Sequence, residues 1–143
     1  MTEPSADVPS PKVPGEDAPE GFNRDEVISY TGYISKFMCQ VERDSFDEEE
    51  VIKNEELREI ARAVFNEQSQ EDFLAGYSRL ARYILDWLIG RGLLKKEESP
   101  DRNPAYWKTQ KCKDLCPRIL EFELPIIDRL VDDYDRDHSE TSP

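Results

Sequence analysis

Three cysteines, one histidine and a surplus of carboxylates are the side chains of this 143-residue sequence with the types to do covalent or metal chemistry. Cys112 and Cys116 stand four apart, so on a helix they share a face. Cys39 lies far upstream, and His138 sits in an acidic stretch near the C-terminus. Structural zinc takes four Cys or His ligands, and nothing beside the pair completes that set. A cysteine nucleophile needs a neighbouring base to form its thiolate, and His138 is badly placed to serve. The spacing therefore predicts two ordinary, partly buried thiols at 112 and 116. An odd, sparse count also argues against a disulfide framework.

The carboxylates cluster in "DEEE" at 47–50 and "DDYDRD" at 132–137. Catalytic carboxylate pairs need burial or close pairing to separate their pKa values, whereas runs of this kind read as solvated helix ends. Neither matches a calcium loop. There is no Walker lysine motif and no Gly-x-Gly-x-x-Gly, and the Gly-Arg-Gly at 90–92 ends a helix without cradling phosphate. The expectation is no enzyme, no metal and no cofactor.

Binding is the chemistry that remains. Residues 79–118 hold ten basic and five acidic side chains, a local +5, while the whole chain carries −13 and the remainder −18. Such an acidic protein is repelled by nucleic acid at long range and favours basic partners. Within or beside the basic segment lie Tyr83, Trp87, Tyr106 and Trp107. Aromatics with arginine are the composition of interface hot spots, and the same set would stack single-stranded bases. The competing readings are that the aromatics are core and that the charge serves solubility. The residues expected to meet a partner that is acidic at the contact are Arg91, Lys95, Lys96 and Arg102, with Tyr106 and Trp107 as anchors.

The elements that would carry these residues are mostly helical in pattern. Residues 1–21 are rich in proline and acids and read as a disordered tail, with a Ser10-Pro11-Lys12 tripeptide that suits a proline-directed kinase only weakly. Asn23 with Glu26 predicts a capped helix whose stripe is Val27, Tyr30, Ile34, Phe37, Met38 and Val41, with Gly32 off the stripe. Next comes either one helix over 47–66 or a short turn and a helix from about Asn54, burying Leu57, Ile60, Ala61, Val64 and Phe65. Ser69 with Asp72 predicts the cap of a helix reaching Gly90 or Gly92. Its apolar arc spans Phe73, Leu74, Tyr77, Leu80, Ala81, Ile84, Leu85, Leu88 and Ile89, wide enough to be buried on several sides. Pro104 reads as opening another helix. Pro117 and Pro125 suit first helical turns. A last helix buries Ile126, Ile127, Leu130, Val131 and Tyr134.

"LARYILDWLIGRGLLKK" also resembles the end of a winged-helix recognition helix, with "GLLKKEE" and "AYWKTQ" as a wing. Against a DNA reader stand the missing turn before that helix, its narrow basic strip and the net charge. The favoured reading is a core helix of an all-α protein, an irregular bundle of four to six helices over residues 22–136, with disordered tails at 1–21 and 137–143. No apolar run approaches a bilayer span of roughly 18–20 residues, and no secretory signal opens the sequence. The chain then reads as a non-catalytic adaptor or regulator, cytoplasmic or nuclear, whose partner is another protein; a homo-oligomer is left open. The alternative is a nucleic-acid-related regulator, either winged-helix-like over 69–110 or an acidic mimic of DNA. Double-stranded DNA and membranes are not expected partners.

Overall fold

The computed structural model describes Pro14 and residues 22–65 and 70–140, with side-chain detail for all but 64–75, 99, 102, 103 and 138–140. Asn23 caps α1 (Arg24–Gln40) as its position predicts, its side-chain oxygen accepting from the N–H groups of Asp25 at 2.8 Å and Glu26 at 3.4 Å. Val27, Tyr30, Ile34 and Met38 of the expected stripe are buried. Gly32 is buried as well, because the turn before the last helix crosses it. A Cβ there would stand 2.5 Å from the Pro125 carbonyl oxygen.

The acidic run resolves into the second of the two expected arrangements. After β1 (Ser45–Asp47), Asp47 caps a short α2 (Glu48–Ile52), and α3 (Glu55–Phe65) starts where the Asn54 side chain accepts from the Leu57 N–H at 2.9 Å. α4 (Gln70–Gly90) is the core helix anticipated. Tyr77, Leu80, Ala81, Ile84, Leu85, Trp87 and Leu88 are buried, while Arg79, Arg82 and Asp86 form its exposed strip. Tyr30 and Tyr77 lock this half together. Their hydroxyls lie 2.7 Å apart, with the Leu57 carbonyl 3.0 Å from Tyr30 and the Val51 carbonyl 3.2 Å from Tyr77, so four helices meet at two phenols. Expectations at Val64, Phe65, Phe73, Leu74, the Ser69–Asp72 cap, Ser10 and the tail over 1–21 (Pro14 aside) lie outside the described residues or side chains.

The all-α expectation is overturned by the segment after α4. Gly92 adopts φ +84°, donates its N–H to the Ile89 carbonyl at 3.0 Å, and lets the Leu93 N–H reach the Leu88 carbonyl at 2.9 Å. This pair of bonds is a Schellman stop, which favours glycine because other residues resist that conformation. The chain turns back as β2 (Leu94–Ser99) and β3 (Arg102–Lys108), an antiparallel hairpin, and β1 pairs with the other edge of β3. The result is a three-stranded sheet in the order β1-β3-β2. Pro104 therefore lies in a strand and opens no helix. β1 pairs only with residues 105–107, and the β2 register shifts between Glu97 and Ser99, so Pro104 sits where the ladder is interrupted.

Thr109 caps α5 (Gln110–Glu121), accepting from the Cys112 N–H at 3.2 Å. Pro117 lies inside this helix, against the expectation of a first-turn position; its side chain is exposed, and its missing N–H removes one bond of the helical ladder. Pro125 does stand just before α6 (Ile127–Glu140), which buries Ile127, Leu130 and Val131 and runs past residue 136. α1 packs against α3, α5 and α6. Among the described residues no helix is long and apolar enough to cross a membrane.

Candidate functional site

Strand alternation decides which side chains of the sheet meet solvent. Tyr106 of β3 points inward and stacks on Phe46 of β1, ring centroids 5.8 Å apart, so Trp107 must point to the opposite face. Trp107 is 42% exposed. The register places Lys95 and Ser45 on either side of it, and Glu97 and Asp47 on either side of Ala105, the next residue on that face. The indole N–H donates diagonally to the Glu97 carboxylate at 3.1 Å.

Next to the indole the face sinks into a cleft of about 570 Å3, whose walls include Arg43, Asp47, Glu50, Glu97, Glu98 and Trp107. Four carboxylates there face one cation. Asp47 and Glu50 are held in a reciprocal cap: each carboxylate accepts the other's backbone N–H at 2.9 Å, and Glu50 also pairs with Arg43. Glu97 and Glu98 are exposed and stay available on the hairpin side. Lys95 and Lys96 line a shallower depression of about 470 Å3 that shares Glu97 and Trp107. The exposed indole thus stands at a boundary between acid and base.

The residues expected to meet a partner fall into two groups. Lys95 and Trp107 come together on the open face of the hairpin, while Lys96, in register with the inward Tyr106, alternates to the other side; all three are exposed. Arg91 and Tyr106 do not join them. Arg91 is 9% exposed and donates to Asp132 at 2.7 Å, with Asp135 at 3.6 Å and the Trp87 ring centroid 5.7 Å away. Lys111 reinforces the same corner, pairing with Asp135 at 2.6 Å and donating to the Arg91 carbonyl at 2.8 Å. Acidic groups do neutralise Arg91, but they belong to α6 of the same chain. Tyr106 is core, its hydroxyl pushed up to about 12 by burial and then by the charges of Glu48 and Asp86. Arg102 opens β3, and its side chain lies outside the described set. Arg43, Glu97 and Glu98 were missed as site residues, while Asp47 and Glu50 belong to the acidic run at 47–50 on which the DNA-mimic alternative would rely. The signal for them was the alternation of Tyr106 and Trp107, which places one residue inside and its neighbour outside as soon as that segment is read as a strand.

The thiols also depart from expectation. Cys39 near the end of α1 and Cys116 of α5 form a disulfide across 77 residues, their Cα atoms 5.5 Å apart. Cys112, one turn earlier in α5, is free and buried, its Sγ 4.0 Å from that of Cys116. Burial pushes the Cys112 thiol up to about 11, against the opposing charges of Lys108 and Lys113. The i, i+4 spacing correctly puts Cys112 and Cys116 on one face; that this face meets the end of α1 could not be read from spacing.

Comparison with protein-family models, with curated proteins and with solved structures gave no match.

Proposed function

We propose that the chain is a non-catalytic protein-interaction module, an adaptor or regulator of the cytoplasm or nucleus, that docks a basic segment of another protein on the open sheet face. The observation that carries this reading is Trp107, 42% exposed beside a cleft where four carboxylates face one arginine. An indole face attracts a cation through its quadrupole, by ~0.5–2 kcal/mol according to desolvation. Tryptophan is also among the residues most enriched at interface hot spots. An arginine laid over Trp107 between Glu97 and Glu98 would gain both terms, while Lys95 and Lys96 at the other rim would repel a misregistered cation and set orientation. The overall charge of −13 draws such a partner in from a distance. This replaces the acidic partner expected for the basic segment, because Arg91 is already satisfied within the fold.

The order of elements favours a second reading. A helix, a strand, further helices and a hairpin whose second strand pairs with the first strand follow the winged-helix plan, with α4 in the position of the reading helix. Arg82 on the exposed strip of α4 is held by Glu48 at 2.9 Å, and Asp86 lies beside it, so the protein-binding form of that plan fits better than a DNA reader. Fold-level likeness carries no function by itself.

Charge reversal on the two rims tests the proposal. A fluorescent arginine–glycine peptide should bind the full chain, lose at least about tenfold in affinity to Glu97→Lys with Glu98→Lys, and keep its affinity for Lys95→Glu with Lys96→Glu. The opposite ordering, with an acidic peptide bound through the lysines, would contradict it.

A further inference from the structure

Sulfur atoms from two helices converge where the end of α1 meets α5. The Sγ atoms of Cys39, Cys112 and Cys116 all lie within 4.8 Å of one another, and the group contains no histidine and no carboxylate. We propose that, once the Cys39–Cys116 bond is reduced, these three thiols bind one soft thiophilic cation, Cu(I), in trigonal thiolate coordination.

Geometry and ligand type select that ion. A metal about 2.3 Å from each of three sulfurs in one plane holds them about 4 Å apart, which is the Cys112–Cys116 separation of 4.0 Å already present. Thiolates are soft ligands and favour Cu(I), zinc or iron–sulfur clusters over magnesium or calcium. Structural zinc wants a fourth Cys or His, and among the described residues none joins the cluster. Cys112 and Cys116 need no rearrangement to cooperate, being one turn apart on one helix. Cys39 is brought to the same point by the packing of α1 against α5, which involves more residues than the bonded pair. Cys112 is buried and Cys39 and Cys116 are half-buried, so the ion would be shielded from water and oxidants on most sides. Lys108 and Lys113 act on Cys112 as positive charges and would offset part of the negative charge of a tris-thiolate complex.

Opening the disulfide takes two electrons and two protons from a dithiol reductant, which leaves as its own disulfide. Such reductants keep thiols reduced in the cytoplasm and nucleus, the compartments proposed above. Loading then replaces three thiol protons by one Cu(I), releasing three protons to solvent, so retention must weaken as the pH falls.

The full chain, reduced with dithiothreitol, desalted under argon and titrated with Cu(I) supplied as its acetonitrile complex against bicinchoninate, tests the proposal. The expected result is one Cu(I) withdrawn per chain with a thiolate-to-copper band in the near ultraviolet, and loss of both in Cys112→Ser. The oxidised wild-type chain is the control that needs no substitution. Its disulfide occupies two of the three ligands, so it must withdraw no Cu(I). Equal withdrawal by the oxidised chain, withdrawal unaffected by Cys112→Ser, or none by the reduced chain would overturn the site. A reduced chain that takes up zinc ahead of Cu(I) would overturn the assignment of the ion.

Discussion

Replacing Arg91 by alanine distinguishes an arginine that holds the fold from one that meets a partner. Its guanidinium is almost fully removed from solvent, donates to Asp132 at 2.7 Å and lies over Trp87. Asp132 and Asp135 are about half exposed, so the ion pairs themselves contribute only ~0.5–1 kcal/mol after screening. The charged hydrogen bond and the stem packed beside Trp87 raise the expected loss to ~2–3 kcal/mol. For a domain of this size that lowers the melting midpoint by ~6–15 °C. Far-ultraviolet circular dichroism melts of the full chain measure it, with Lys95→Ala as the exposed comparison, expected to shift stability by less than ~0.5 kcal/mol. Binding of the arginine–glycine peptide, measured well below the lowered midpoint, should be unchanged in Arg91→Ala. An unchanged midpoint together with lost peptide binding would refute the reasoning and return Arg91 to the surface.

Gly32→Ala should destabilise by ~1–3 kcal/mol, because the added Cβ meets the Pro125 backbone carbonyl at 2.5 Å and helix propensity gains too little to offset that overlap; denaturant unfolding checks it. Asp128, raised by burial with the Asp132 charge adding to it, should make Asp128→Asn more stable than wild type at neutral pH. The sign follows from linkage: the penalty for ionised Asp128 is absent below the ordinary carboxylate value of 3.8, grows as pH rises through it and is complete above the raised folded value. Midpoints measured across that range should therefore converge in acid, and a gain independent of pH would contradict the assignment. Tyr30, Tyr77 and Tyr106 are raised by burial and Tyr134 by its hydrogen bond to Asp114, so four of the six tyrosines should stay un-ionised above the ordinary phenol pKa of 10.0. Near-ultraviolet phenolate absorbance should reach its full value only as the fold is lost.

Local signals in the chain proved legible where they were complete on their own. The Asn23 cap, the stripe of α1, the Asn54 start of α3 and the buried arc of α4 each depend on residues within a turn or two of one another. β2 was legible only as half of the wing hairpin in the winged-helix alternative, because Lys95, Lys96, Glu97 and Glu98 are all exposed and, among its described side chains past Leu94, none is buried to announce a strand. Such charges are what an edge strand carries to avoid pairing with other chains. β3, the other half of that wing, lost out in the favoured reading to Pro104, which argues against a strand unless the break in the ladder is known. The site suffered for the same reason. Arg91, Lys95 and Trp107 looked alike as charged or aromatic residues of one segment. Only the turn at Gly92 and the approach of α6 send the first inward and leave the other two outside. Likewise the pairing of Cys39 with Cys116 is set by the packing of α1 on α5, over a separation that spacing rules do not reach.

The open sheet face is tested most directly by the fluorescence of Trp107 itself. The chain has two tryptophans, and the other, Trp87, is 2% exposed, so solvent-sensitive emission reports on Trp107. Titrating the full chain with the arginine–glycine peptide should shift and then saturate that emission, protect it from acrylamide, and do neither in Trp107→Phe. Peptide that binds with Trp107 emission and acrylamide access unaltered, or with undiminished affinity for Trp107→Phe, would contradict the account.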